Sequence, residues 1–123
     1  MNNLYFAKTK EGAVIPSKRD IDDGYDLYAC FEEEEIVIEP NEKVAIPTGI
    51  ISAFDEKYGC IIKERGSTGF RAMSIRAGVI EGSYRGEWLI IINNTSRKDI
   101  IISNSLGGDK VVVMAGPCSV EST

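Results

Sequence analysis

Apolar residues along the chain come in short, largely β-branched runs bounded by turn-forming residues. Residues 4–7, 13–16, 25–30, 35–39, 44–46, 50–54, 60–62, 73–75, 88–92, 100–102 and 111–113 each read as extended segments. The breaks between them hold Gly, Pro, Asn and Asp, which turn a chain. No stretch carries apolar residues at helical spacing over several turns. The pattern predicts a single all-β domain over residues 1–123, of about ten short strands, closed as a jelly roll or distorted barrel without internal repeat or linker.

Three details refine this. Residues 90–92, 100–102 and 111–113 are apolar at every position, so both faces of those strands call for cover, supplied by a sandwich interior or by a second subunit. Pro16 lacks an amide donor and marks an edge or a strand end. The acidic run 32–35 reads as a solvated edge that resists edge-to-edge pairing.

Composition narrows the chemistry. A chain of 123 residues, 43% of them hydrophobic, forms one core that oligomerisation would help. A net charge of −5 leaves no basic stripe for a nucleic-acid backbone, so no nucleic-acid partner is expected. The absence of histidine removes Ser-His-Asp triads, His general bases and His-ligated zinc. Cys30, Cys60 and Cys118 are odd in number and far apart, which suggests reduced thiols rather than a disulfide framework or a metal knuckle. With no charged start leading into an apolar run, and no apolar segment of spanning length, the expectation is a soluble, cytoplasmic protein with no membrane partner.

Candidate chemistry gathers at residues 78–87, Gly-Val-Ile-Glu-Gly-Ser-Tyr-Arg-Gly-Glu. The glycines predict a tight hairpin that something approaches closely. Glu81 could activate a water, Tyr84 could pack on a ring-shaped ligand and Arg85 could meet an anion. On spacing alone a solvated hairpin is an equal reading. A second segment, Arg65-Gly66-Ser67-Thr68-Gly69, predicts a loop offering a cation, hydroxyls and backbone amides to an oxyanion, although Gly-Ser-Thr-Gly is also an ordinary turn. Arg65 could equally pair with one of the acids. A third segment, residues 22–29, carries Gly24-Tyr25-Asp26-Leu27, where a lone strand carboxylate is more often surface than ligand.

Taken in order, the three segments resemble the first three motifs of the trimeric dUTP diphosphatases (dUTPases), and the likeness spans residues 22–95. The resemblance implies a jelly-roll-like distorted β-barrel and a homotrimer with sites at subunit boundaries. It implies hydrolysis of dUTP to dUMP and pyrophosphate, assisted by Mg²⁺. Asp26 would help hold that ion, usually through waters, which suits a cation that keeps part of its hydration shell. Arg65, Gly66, Ser67 and Thr68 would bind the phosphates. Gly78, Val79 and Ile80 would present backbone to the uracil edge, and Tyr84 would pack on the deoxyribose. Glu81 would orient the water that attacks the α-phosphorus.

Three departures qualify the resemblance. Relatives usually carry Asp at the Glu81 position, and one extra methylene shifts the carboxylate by roughly an ångström, a misplacement that can cost about a hundredfold in rate. In many relatives a hydroxyl follows the Arg directly, whereas here Gly66 intervenes before Ser67. Beyond residue 103 the likeness fades, with Val113 where the fourth motif has Gln and no Gly- and Ser-rich arm. Residues 110–122 instead resemble the first barrel strand and phosphate-side loop of the 3-deoxy-arabino-heptulosonate 7-phosphate synthases, an activity one strand cannot supply. The expectation is a slow dUTPase, weighed against a non-catalytic nucleotide-binding trimer and against a dCTP deaminase-like enzyme, which Tyr84-Arg85-Gly86-Glu87 disfavours.

Overall fold

The computed structural model describes residues 3–104 in full and the backbone of residues 113–119. Eleven strands and one helical turn follow one another: β1 (Leu4–Lys8), β2 (Tyr25–Leu27), β3 (Glu35–Ile38), β4 (Lys43–Pro47), β5 (Ile50–Phe54), β6 (Tyr58–Glu64), α1 (Gly66–Phe70), β7 (Met73–Arg76), β8 (Val79–Glu81), β9 (Leu89–Asn94), β10 (Ile100–Ser103) and β11 (Val113–Ser119). The all-β expectation holds. The strands pair as β1-β5, β3-β10, β4-β9-β7 and β2-β11-β6-β8, so the described ladders form separate small sheets rather than one closed barrel.

Alternation sets the core. On β9, Ile90 and Ile92 point inward and are fully buried, while Leu89 faces out. Leu27, Ile38, Ile46, Trp88 and Ile102 complete the densest part of the interior. Residues 90–92 and 100–102 therefore bury one face within the chain, and on the β3–β10 pair the other face is open: Val37 and Ile101, direct cross-strand partners, are 41% and 47% exposed.

Trp88 is the fixed point between core and surface. Its indole N–H donates to Ser52 Oγ at 2.9 Å, its amide donates to Ile50 O at 2.8 Å, and its carbonyl accepts from Thr48 Oγ1 at 2.7 Å. The Phe6 ring meets it edge-on at 5.6 Å. A buried tryptophan with each polar group satisfied is anchored in one orientation, and so is the chain on either side of it.

Several elements differ from the sequence pattern. Residues 13–16 make no strand; Ala13 and Pro16 are buried and the next residue, Ser17, makes a lone bridge to Asp26. Pairing on β2 stops at Leu27, because beyond it Cys30 donates to Pro47 O instead of continuing a ladder. Gly66–Phe70 is a single helical turn, too short to register as a period. Of the run 111–113, the first two residues lie outside the described ones and Val113 opens β11, which runs antiparallel to both β2 and β6. No helix among the described residues is long and apolar enough to cross a membrane.

Asn94 closes the end of β9. Its side-chain amide donates to Ile38 O and to Lys98 O at 2.8 Å each, and its Oδ1 accepts from the Ser96 amide and hydroxyl at 2.9 and 2.7 Å. The residue is fully buried, so Asn94→Ala strands two carbonyls and two donors with reduced access to water. The expected loss is about 2–4 kcal/mol in urea unfolding; a loss below about 0.5 kcal/mol, typical of surface positions, would show the network to be replaceable by water.

Candidate functional site

The hairpin that follows β8 is held from below and from behind. Tyr84 N donates to Glu81 O at 3.0 Å, closing a four-residue turn. A Cβ on Gly82 would stand 2.6 Å from Asp55 O and 2.7 Å from Phe54 O, so only glycine lets the turn press against the end of β5. Arg85 is exposed, and one of its nitrogens is spent on the turn: Nη1 donates to Gly82 O at 2.6 Å and reaches Tyr84 O at 3.3 Å, so the side chain staples the hairpin while also lining a separate cavity with Tyr5, Asp55 and Tyr58.

Tyr84 is fixed rather than loose. Its hydroxyl donates to Glu87 O at 2.9 Å and its ring lies over Gly86, where a Cβ would come within 2.5 Å of the phenolic oxygen. Glu87 in turn is locked to the neighbouring turn, its carboxylate accepting the Gly49 amide at 2.8 Å with Lys10 Nζ at 3.8 Å. Together Val79, Ile80, Glu81, Tyr84, Glu87 and Leu89 line a cavity of about 310 Å³. Ile80 is buried, whereas the Glu81 side chain is exposed at the cavity's edge. An apolar floor, an aromatic wall and two carboxylates suit a small ring-shaped ligand carrying polar edges.

A second cleft, of about 540 Å³, is lined by Arg19, Ile21, Asp22, Asp23, Gly24, Asp26 and Arg65. Asp26 sits half-buried on β2, whose edge is fixed by the Asp26 amide donating to Ser17 O at 2.8 Å. Arg65 precedes α1 in an extended conformation and is exposed; among the described residues it forms no ion pair. Asp22 takes Arg19 in a two-pronged pair, Nε to Oδ2 and Nη2 to Oδ1 at 2.9 Å each. The hydrogen bond from Arg19 holds the Asp22 carboxyl below the usual carboxylate range.

The predicted residues thus fall into two groups. Asp26 and Arg65 meet at one cleft; Val79, Ile80, Glu81 and Tyr84 meet at the other, with Gly78 at the foot of β8 where its carbonyl accepts the Ile62 amide at 2.7 Å. The two groups line separate cavities. On α1, Gly66 and Ser67 are exposed, Thr68 turns inward at 7% exposure, and the Gly69 amide is spent on Arg65 O at 2.8 Å.

Among the described residues no three His, Cys, Asp or Glu side chains cluster as metal ligands. With Asp22 committed to Arg19, Asp23 and Asp26 are the carboxylates left in the cleft beside Arg65. Two carboxylates cannot cage a cation, but Mg²⁺ binds through one or two carboxylates, retained waters and phosphate oxygens, and this donor set fits it.

Two contributors escaped the sequence reading. Arg19 had only its spacing of three from Asp22 as a signal. Glu64 had none: its Oε2 accepts the Ile75 amide at 3.0 Å, and its Cγ lies 3.2 Å from where a Cβ on Gly69 would be, bracing β7 and α1 around Arg65.

Comparison with known proteins agrees with this geometry. Residues 10–111 match the sequence model of the dUTPase family. The chain belongs to that family. It is 36% identical to the deoxyuridine 5'-triphosphate nucleotidohydrolase of Yaba monkey tumor virus over 94 residues, 74% of this chain and 64% of that protein. It is 32% identical to the enzyme of the same name from Paramecium bursaria Chlorella virus 1 over 113 residues, 90% of this chain and 76% of that one. In fold, the dUTPase of Staphylococcus bacteriophage 80alpha, solved with dUpNHpp, superposes with a TM-score of 0.80 at 19% identity, covering 100% of this chain and 86% of that one. A dUTPase from phage phi11 of S. aureus, whose structure describes a structural Mg(II) ion, also superposes at 0.80, with 22% identity and 99% and 94% covered. Both solved neighbours share the all-β fold of this chain.

The Ile75 amide holds the Glu64 carboxyl below its ordinary value of 4.5. A depressed folded-state value means stability present above the unfolded value and lost as pH falls through the lower, folded one. Acid titration of the melting temperature should therefore drop less steeply between about pH 5 and 3 in Glu64→Gln than in the unmodified chain. Superimposable profiles would show that the Glu64–Ile75 bond does not distinguish the two charge states.

Proposed function

We propose that the chain hydrolyses dUTP to dUMP and pyrophosphate, with water attacking the α-phosphorus. The observation that carries this reading is the cavity walled by Val79, Ile80, Glu81 and Tyr84 in a chain of the dUTPase family. Tyr84, pinned by Glu87 O and Gly86, offers a rigid ring face against which a deoxyribose packs and a ribose 2′-hydroxyl collides. Backbone at Gly78, Val79 and Ile80 would meet the uracil edge through the groups that the β6–β8 ladder leaves free, the Gly78 carbonyl being already bonded to the Ile62 amide. Glu81, at the end of β8, has room to hold a water and accept its proton. Arg65 and the exposed Ser67 supply charge and a hydrogen bond to the phosphates, and Asp26 would hold Mg²⁺ through waters. When bound, Mg²⁺ neutralises part of the polyphosphate charge that develops as pyrophosphate leaves.

The wider carboxylate reach of Glu81 argues for a modest rate, and a nucleotide-binding trimer without turnover is the second reading it favours. Pyrophosphate release from dUTP, run with and without Mg²⁺ beside dCTP and UTP, separates them. We expect Mg²⁺-dependent release from dUTP above that from either analogue, a fall of about a hundredfold or more in Glu81→Gln, and a gain in Glu81→Asp. Turnover of dUTP by Glu81→Gln at the unmodified rate would rule out the assigned base.

We infer further that the working unit is a homotrimer in which one copy's Asp26–Arg65 cleft faces another copy's Tyr84 cavity. The separation of the two clefts within one chain and the open apolar pair Val37–Ile101 support this reading. Mixing Glu81→Gln chains with Arg65→Gln chains, each inactive alone, should restore a fraction of the activity, because some mixed sites combine an intact residue from each parent. Mixed trimers, verified by mass spectrometry, that stay inactive would place both residues in one chain's site.

A further inference from the structure

The Asp26–Arg65 cleft holds a cation that neither the motif residues nor the family comparison assigns. We propose that Arg19 is a second polyphosphate-binding guanidinium, parked on Asp22 and transferred to phosphate oxygens when a polyphosphate enters. The inference rests on reading this cleft as the site for the phosphates.

Charge makes the first argument. The lining residues include Arg19 and Arg65 on one side and Asp22, Asp23 and Asp26 on the other. With Arg19 tied to Asp22, Arg65 alone faces two uncompensated carboxylates, and a chain of phosphates would meet more repulsion than attraction. Releasing Arg19 leaves the net lining charge unchanged, because it uncovers Asp22, but it gives the phosphates a second guanidinium donor beside Arg65. Geometry makes the second. The guanidinium fork already engages two oxygens of one carboxylate at 2.9 Å each, the arrangement it would reproduce on a phosphate.

The exchange costs little on the protein side. The Arg19 side chain is 76% exposed, and an exposed ion pair is only weakly stabilising. The turn does not depend on it either: Asp22 N donates to Arg19 O at 3.0 Å, and the Arg19 amide donates to Asp22 Oδ2 at 3.3 Å. After the guanidinium leaves, the Asp22 carboxylate keeps a backbone partner and access to water. Asp22 thus acts as an internal placeholder for the ligand's phosphate.

The two partners carry opposite charges, so neutralising either one changes the attraction for an anion in opposite senses even without contact. Contact by the fork is read from Arg19→Lys, which keeps the charge and loses the two-pronged geometry. Inorganic tripolyphosphate in Mg²⁺ buffer, titrated by calorimetry into the full-length chain, is the probe. Arg19→Gln should weaken binding by about tenfold, whereas Asp22→Asn should tighten it by about threefold because the fork is no longer occupied. Arg19→Lys should fall between Arg19→Gln and the unmodified chain, since ammonium keeps the charge without the fork. No binding by the unmodified chain, equal binding in all variants, a shift of Arg19→Gln and Asp22→Asn in the same direction, or binding by Arg19→Lys equal to that of the unmodified chain would overturn the proposal. Pyrophosphate release from dUTP scores the catalytic reading separately: a chain that binds tripolyphosphate through Arg19 yet leaves dUTP intact keeps this inference and loses only the hydrolase.

Discussion

The anchoring of Trp88 is the constraint from which the rest of the site follows. A single tryptophan, fully buried and with indole, amide and carbonyl each bonded to the β4–β5 corner, fixes the chain at the point where the hairpin enters the core. Glu87, one residue earlier, is bound to the same corner through Gly49 N, and Tyr84 is bound to Glu87 in turn. The ring that would meet the sugar is therefore positioned by a short relay of bonds that ends in the hydrophobic core. A surface loop without that relay would sample many ring orientations and lose preorganisation.

The second cleft is built differently. Arg65 depends on a five-residue helical turn braced by Glu64, and Asp26 on a three-residue strand whose edge is closed by one bridge. These are lightly supported elements, consistent with a site that adjusts around phosphate rather than one that reads shape. One cleft is rigid and, on the proposed reading, would select the nucleoside; the other is polar, exposed and lined by charge. Hydrogen-bonded aromatic walls discriminate among rings, while exchangeable ion pairs hold polyphosphate without demanding a single geometry.

The separation of the clefts gives the open outer faces a purpose. Val37, Leu89 and Ile101 are apolar and substantially exposed, although their strands are otherwise core-forming. In a chain this small the interior cannot cover both faces of each apolar strand. A neighbouring copy would do so and would also bring the complementary cleft into range, so that burial of apolar area and completion of the site become the same event.

Much of this was legible in the sequence because it rests on local rules. Short β-branched runs with turn residues between them fixed the strand content, and ten of the eleven strands fall on or inside predicted runs or the predicted hairpin, apart from end residues set by ladder pairing. The candidate residues Asp26 and Arg65, which share one cleft, and Glu81 and Tyr84, which share the other, stand out in the sequence by type and order. The sequence could not decide which charged residues are free. Arg85 reads like an anion ligand, and nothing in its spacing shows that its Nη1 reaches three carbonyls and staples the turn; Arg19 reads like any surface arginine, yet the fold sets it in one cleft with Arg65. Nor could it show that Gly66–Phe70 closes a helical turn, since one turn has no period, or that Glu64 braces it from eleven residues before its partner Ile75. Residue type and spacing determine local conformation and candidate chemistry, whereas the assignment of each charge to a bond partner depends on long-range proximity, which only the tertiary structure supplies.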